Sequence, residues 1–347
     1  MTTVNLAWQT RLAALPSLPI AHLPTPLEAL PRLRMALGGD AGGVPHLWVK
    51  RDDAIGLAVG GNKVRKLAYL LADAQARGAR KVVSFGGLQS NFLRALASGC
   101  ARLGMEAHCL YFERRPARLT GNLLLCQQLG ARLHFVPLGG DTGPRDLHRT
   151  CQLVRLASPF LPGIGRRGVA FIPVGGHSAL GCAGYVPAAR EILEQAAQTG
   201  FQPDAVVTAA GTGGTLAGLL AGFRLLGSQV QLIGIDVGKL WRGFEQDIAA
   251  MAGDVTALLG APQPFAPTDV TLFPGYGPGY ARPYEPALAA IALAARAEGL
   301  LLDPVYSGKA MAGLIDLIRT GQFTADQHVV FLHTGGWPSL FATLGPL

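Results

Sequence analysis

Ala205-Val206-Val207-Thr208-Ala209-Ala210-Gly211-Thr212-Gly213-Gly214-Thr215, with the apolar stretch 216–226 behind it, is the run that decides the fold. A short apolar strand, a glycine turn and an apolar helix follow one another without a spacer. Strands buried on both faces belong to parallel sheets covered by helices. The alternation continues in both directions from this unit. Further strands are expected at 81–85, 107–111, 132–136, 169–174, 231–236 and 328–333. Helices are expected at 63–77, 91–103, 119–129, 144–157, 184–198, 215–226, 286–298 and 310–319, several of them closed by glycine. The fold class read from this pattern is α/β, with parallel sheets.

The chain has 347 residues, enough for two domains or one large α/β unit. With 49% hydrophobic and 15% charged residues it can bury a large core, which argues against disorder. No apolar run reaches membrane-spanning length, since Arg224 interrupts the longest candidate. The first twelve residues lack a basic segment followed by an apolar one, so no secretory leader and no membrane partner is expected. Five cysteines without a C-x-x-C pair read as free and mostly buried thiols, which suits a reducing cytoplasm. No metal-ligand spacing is present. The net charge of +8 comes from dispersed arginines, without zinc spacing, a basic helix or an aromatic–basic motif. Nucleic acid is therefore rejected as a partner, and attraction for small anionic substrates is the reading kept.

Two features carry chemistry. The first is Gly60-Gly61-Asn62-Lys63-Val64-Arg65-Lys66-Leu67, which follows Lys50-Arg51-Asp52-Asp53 and opens an amphipathic helix. A lysine at a helix start opposes the positive end of the helix dipole. The composition otherwise avoids lysine, with six against 24 arginines, yet Lys50, Lys63 and Lys66 fall close together. The second feature is the turn Gly211, Thr212, Gly213, Gly214 and Thr215. Backbone N–H groups at such a turn and helix start converge on a phosphate, and the threonines can add hydroxyl donors. Taken alone, the turn can be simply a tight turn and Lys63 a solvated residue. A reactive lysine together with a phosphate cradle points to pyridoxal phosphate, whose aldehyde bonds covalently to a lysine amine.

More glycine turns stand at strand ends: Gly86-Gly87-Leu88-Gln89-Ser90-Asn91, Pro173-Val174-Gly175-Gly176, Gly275-Tyr276-Gly277 and His333-Thr334-Gly335-Gly336. In open α/β sheets ligands bind beyond the carboxyl ends of the strands, so these turns are expected to converge. Ser90 and Asn91 begin a helix, where capping is the competing reading.

The turns, with Pro24-Thr25-Pro26-Leu27-Glu28 and the run 302–311 (LDPVYSGKAM), resemble the pyridoxal-phosphate enzymes that include D-cysteine desulfhydrase and 1-aminocyclopropane-1-carboxylate deaminase. The matching segments run in order from residue 24 to 336. The resemblance implies fold type II, the tryptophan-synthase-β-like arrangement, with the cofactor in a cleft between two parallel-sheet domains. A large domain of 1–62 and 175–347 and a small domain of 63–174 are expected, and a homodimer. It implies that Lys63 carries the cofactor, Asn91 bonds its 3′-oxygen and the turn 211–215 holds its phosphate. Ser307 and Thr334 would face the ring nitrogen. Ser90, Tyr276 and Tyr306 would stand at the reacting carbons, with Ser90 or Lys63 as the proton acceptor. The implied reaction is β-elimination on a small amino acid, giving a keto acid and ammonia. A relative acting on another amino acid, and a catalytically silent binder, are the alternatives.

Four residues depart from the pattern usual in that family. Phe92 stands in place of histidine, His177 follows Pro-Val-Gly-Gly, Tyr280 stands where the loop usually carries x-P-N, and Trp337 replaces a small residue. All four adjoin turns expected to form the cleft, so they are expected to set substrate specificity. The deaminases that open the cyclopropane place Glu where this chain has Ser307.

Overall fold

The computed structural model describes residues 7–39, 42–137, 147–238 and 243–343. Its strands are β1 Leu27–Ala29, β2 His46–Lys50, β3 Lys81–Phe85, β4 Glu106–Tyr111, β5 Arg132–Phe135, β6 Val169–Phe171, β7 Ala205–Ala210, β8 Gln231–Asp236, β9 Thr271–Phe273 and β10 His328–Leu332. The helices are α1 Ala7–Ala14, α2 Pro31–Ala36, α3 Lys63–Ala76, α4 Asn91–Arg102, α5 Gly121–Gln128, α6 Leu147–Ala157, α7 Ala179–Ala183, α8 Val186–Thr199, α9 Gly214–Leu225, α10 Phe244–Leu258, α11 Glu285–Glu298, α12 Ser307–Arg319 and α13 Leu340–Thr343.

Two sheets result. One has six strands in the order β1-β2-β10-β7-β8-β9, the other four in the order β5-β4-β3-β6. All neighbours pair in parallel except β1, an antiparallel edge on β2. The chain thus lays down two strands of the larger sheet, builds the smaller sheet, and returns for the remaining four. Alternate residues serve opposite faces: Val206 and Val330 pack into one apolar cluster, Val207 and Phe331 into another. The smaller sheet divides in the same way, with Val82 on one side and Val83 on the other. Both sheets are buried on both faces, as the continuous apolar runs require.

Several expected elements differ in extent. The strand expected at 169–174 ends at Phe171, because the chain enters a 3-10 turn at Val174–Gly176. The helix expected at 184–198 is α8, Val186–Thr199, and a short helix that was not expected, α7, precedes it at Ala179–Ala183. The helix expected from 310 starts at Ser307, because the Asp303 carboxylate accepts from the N–H groups of Val305, Tyr306 and Ser307. The helix expected from 144 is described from Leu147 onward; its first expected turn lies outside the described residues. No helix among the described residues is long and apolar enough to cross a membrane.

A buried ionic network joins the end of β2, the start of α3 and α8. Arg65 donates to both oxygens of Asp52, from Nε at 2.9 Å and Nη2 at 2.8 Å, and to both oxygens of Glu191 at 2.8 Å. Tyr185 donates to Asp52 at 2.6 Å, and Thr25 at 2.9 Å. Lys50 pairs with Glu191 at 2.8 Å and donates to the Thr25 carbonyl at 2.6 Å. Two cations meet two anions, so no charge is left over. Burial pushes the Asp52 carboxyl up, but Arg65, Tyr185 and Lys50 outweigh it and hold the carboxyl below its ordinary range. Removing one partner of such a pair leaves an uncompensated buried charge, at a cost of about 3–5 kcal/mol.

Asp52→Ala is accordingly expected to lower the unfolding free energy by about 3–5 kcal/mol, seen as a lower urea midpoint. Glu28→Ala, which breaks the half-exposed pair with Arg51, should change it by less than about 1 kcal/mol. Asp52 is a stronger acid folded than unfolded. Its contribution is therefore full above the unfolded carboxyl value of about 4 and fades as the pH falls through the folded one. Acid should narrow the gap between Asp52→Ala and the parent.

Candidate active site

The carboxyl ends of β7 and β10 and the first turns of α3, α4 and α12 meet at one cavity. Asn62, Lys63, Asn91, Tyr306, Thr334 and the turn 211–215 line it. Lys63 is the first residue of α3, and the preceding loop delivers it. Gly60 is required there: a Cβ would lie 1.8 Å from the Asp53 carbonyl oxygen. The loop is held on two sides. The Gly61 N–H donates to the Asp52 carbonyl at 2.9 Å and the Asn62 N–H to the Thr334 carbonyl at 3.1 Å. The Asn62 amide donates to Thr215 Oγ1 at 3.0 Å, which ties the lysine turn to the glycine turn.

Arg94, on α4, clamps the same loop. Its guanidinium donates to the carbonyls of Gly60, at 2.9 Å, and Ala58. Its Nε donates to Asn122 Oδ1 at 2.8 Å, and the Asn122 amide donates to Asn91 Oδ1 at 2.7 Å. With its oxygen taken, Asn91 keeps its Nδ2 as a donor.

Three nitrogen side chains crowd the glycine turn. Burial and the neighbouring Lys66 lower the Lys63 pKa to about 7. Lys66 is fully buried, donates to the Gly175 carbonyl at 3.3 Å, and burial lowers its pKa as well. Burial, Lys66 and Lys63 together lower the His177 pKa to about 3. His177 Nδ1 is buried without a hydrogen-bond partner. A Cβ on Gly214 would meet Lys66 Nζ at 2.6 Å, Cys182 Sγ at 2.9 Å and His177 Nδ1 at 3.0 Å. These groups therefore gather at the first residue of α9, where the dipole is positive. The arrangement lacks an anion, and an anion placed there would stabilise every member of it.

The other expected site residues fall into two groups. Ser90 caps α4, accepting from the Leu93 N–H at 3.2 Å, so the capping reading holds for it. Ser307 donates to Asp303 Oδ1 at 2.7 Å and is fully buried at the start of α12. Tyr280 stands beside Tyr306, whose hydroxyl donates to it at 3.2 Å. Tyr276 is turned away, its hydroxyl donating to Asp316 at 3.1 Å. Phe92, 2% exposed, packs in the apolar cluster of α3 and α4 rather than lining the cavity. Trp337 stacks edge-on against Phe341, ring centres 6.0 Å apart. His177 also lies at the end of a wider groove between α6 and α10, which carries Arg155 and Asp254.

Sequence reasoning passed over Arg94, Asn122 and Asp303 as site-building residues. Arg94 and Asn122 act through partners far along the chain, and a single sequence gives no sign of that.

Comparison with known proteins gives a consistent result. A family model described as "Pyridoxal-phosphate dependent enzyme" matches residues 19–335. A protein of Burkholderia vietnamiensis named 1-aminocyclopropane-1-carboxylate deaminase is 39% identical, covering 94% of this chain and 96% of that one. A protein of Salmonella typhi named D-cysteine desulfhydrase is 38% identical, covering 95% and 97%. A solved structure titled as that of an ACC deaminase homologue superposes with a TM-score of 0.82 at 31% identity, over 97% of this chain and 96% of the other.

The residues present fit pyridoxal phosphate. The anion-deficient turn suits its phosphate, and an amine whose pKa is about 7 suits bonding to its aldehyde, which requires the unprotonated form. The orphaned His177 Nδ1 and the space reserved at Gly214 are the independent signs.

Inorganic phosphate at about ten times its dissociation constant should raise the melting temperature of the cofactor-free protein by about 2 °C. In Gly214→Ala the added methyl collides with Lys66 and Cys182. That variant should lose the phosphate-dependent rise, measured by differential scanning fluorimetry.

Proposed function

The chain belongs to the pyridoxal-phosphate dependent enzyme family, and on that premise we propose that it is a lyase acting on a small β-substituted amino acid, by D-cysteine desulfhydrase-like β-elimination. The products are a keto acid, ammonia and, from D-cysteine, sulfide. The names of the relatives divide between this reaction and opening of the cyclopropane substrate. What favours elimination is the residue at 307. Ser307 offers a hydroxyl where the deaminases carry Glu, and that hydroxyl already donates to Asp303. The Asp303 carboxylate is itself committed, receiving the N–H groups at the start of α12. Asp303 is therefore not free to hold a proton on the ring nitrogen, as strengthening the electron sink for ring opening would require.

The cofactor, when bound, supplies the electron sink that stabilises negative charge at the substrate Cα. The protein's residues do the rest in this reading. The turn 211–215, with Lys66 and His177 beside it, would hold the phosphate end. Asn91 Nδ2 would serve the ring's 3′-oxygen, and Thr334 the ring nitrogen. Lys63 would carry the cofactor; its free amine, neutral above about pH 7, would take the Cα proton. Ser90 Oγ is the other candidate for that proton. Tyr306 stands at the reacting side, its hydroxyl proton directed to Tyr280. We further propose a cytoplasmic homodimer, with a small domain of 63–174 set into a large domain of 1–62 and 175–347.

Incubating the cofactor-loaded protein with D-cysteine, β-chloro-D-alanine and aminocyclopropane carboxylate, with keto acid as the readout, tests this function. The β-substituted alanines should react at least about tenfold faster than the cyclopropane, a barrier difference of about 1.4 kcal/mol. A faster rate on the cyclopropane would establish the deaminase instead. No keto acid from any of them, with the cofactor bound, would mark a silent binder.

A further inference from the structure

Asn122 is fully buried in the first turn of α5, and its amide meets partners that can each play only one role. Arg94 Nε, which can only donate, lies 2.8 Å from Oδ1. The Gln89 carbonyl oxygen, which can only accept, lies 2.9 Å from Nδ2. An amide can turn over and exchange its oxygen and nitrogen; these two neighbours leave Asn122 one orientation. The direction is passed on, because the same Nδ2 donates to Asn91 Oδ1 at 2.7 Å. Asn91 therefore has one orientation too, oxygen inward and Nδ2 outward. No described residue accepts from that Nδ2, and Asn91 lines the cavity beside Lys63. Glycine at 336 keeps it clear, since a Cβ there would lie 2.9 Å from it.

Arg94 stands behind this line as a charge. It is fully buried, and burial lowers its pKa to about 10, so it stays a cation at neutral pH. No carboxylate pairs with it among the described residues; it donates to the carbonyls of Ala58 and Gly60 and to Asn122. A buried cation with only neutral acceptors is short of an anion. Hydrogen bonds in a line polarise one another, so the cation strengthens the last N–H as a donor. A donor of this kind suits an anionic oxygen, which the 3′-oxygen of pyridoxal phosphate is in its phenolate form. We propose that Asn122, with Arg94 behind it, is the positioning residue that keeps Asn91 Nδ2 turned toward the cofactor's 3′-oxygen.

Asn122 is itself held in place. Its backbone N–H donates to Gln89 Oε1 at 2.9 Å, and Gln89 Nε2 donates to the Thr120 carbonyl at 3.1 Å. Gly121 between them has a φ of +52°, and a Cβ there would collide with Gln89 Oε1. The turn Gln89-Ser90-Asn91 and the start of α5 thus lock each other: Gln89 holds Asn122, and Asn122 holds Asn91.

This proposal rests on the reading of the cavity as a pyridoxal-phosphate site, and its test does not use turnover. Asn122→Asp replaces the amide nitrogen by an acceptor. Arg94 keeps its partner, while the Asn91 amide must turn over to donate inward, which presents its oxygen to the cavity. Cofactor-free parent and variant are titrated with pyridoxal phosphate and with its analogue lacking the 3′-oxygen. A role confined to folding would weaken both ligands alike. The parent should prefer the natural cofactor, and Asn122→Asp should cut that preference by about tenfold, the worth of one hydrogen bond to a charged group. Asn122→Leu, which leaves Asn91 free to take either orientation, should cut it by about threefold, and it carries the test if Asn122→Asp does not fold. An unchanged preference in a folded variant, or a parent that binds both ligands equally well, overturns the proposal. A parent with the expected preference that releases no keto acid would sink the proposed β-elimination and leave this assignment standing.

Discussion

The bidentate pair between Asp52 and Arg65 is the constraint on which the rest of the site depends. Asp52 lies two residues beyond the end of β2, and Arg65 lies two residues after Lys63 on α3. Their side chains are fully buried, and two hydrogen bonds hold them in one geometry. α3 cannot rotate or slide without breaking the pair, and Lys63 is carried on its first turn. Glu191, Tyr185 and Lys50 complete the charge balance, so the orientation of α3 is referred to β2 and α8 together. A buried pair of this kind adds little net stability over an apolar core of the same shape. Its effect here is to exclude other placements of the lysine.

The second constraint is electrostatic and works against stability. Lys63, Lys66 and His177 are gathered at the positive end of α9, and the turn contributes no acidic side chain. A fold selected for stability alone would put an aspartate there. The local conflict is resolved by a ligand anion, which is why the phosphate turn and the lysine turn are linked through Asn62 and Thr215. Sites where local rules are broken in this way are where function is expected.

The legibility of the chain followed the range of the interactions. The strands 81–85, 205–210 and 231–236 were readable to the residue, because each is an apolar run closed by glycine or a polar turn. β2 and α10 escaped notice. β2 has polar residues at both ends, and α10 carries Gly253 and several acidic residues, which blur its apolar face. The cavity residues Lys63, Asn91, Tyr306, Thr334 and the turn 211–215 were legible because glycine-marked turns at strand ends converge. The substitutions read as specificity positions were less so. Adjacency to a motif does not give side-chain direction, and Phe92 points into the core while Tyr280 points to Tyr306.

The central claim is that the fold delivers one particular amine, unprotonated, to the phosphate turn. Borohydride reduction of the cofactor-loaded protein, followed by peptide mapping, tests it most directly. The pyridoxyl group should be found on Lys63 alone. Lys66 is the demanding control, because its Nζ also lies beside the turn and its pKa is lowered as well. A label on Lys66 or Lys309, or none at all, would contradict the account.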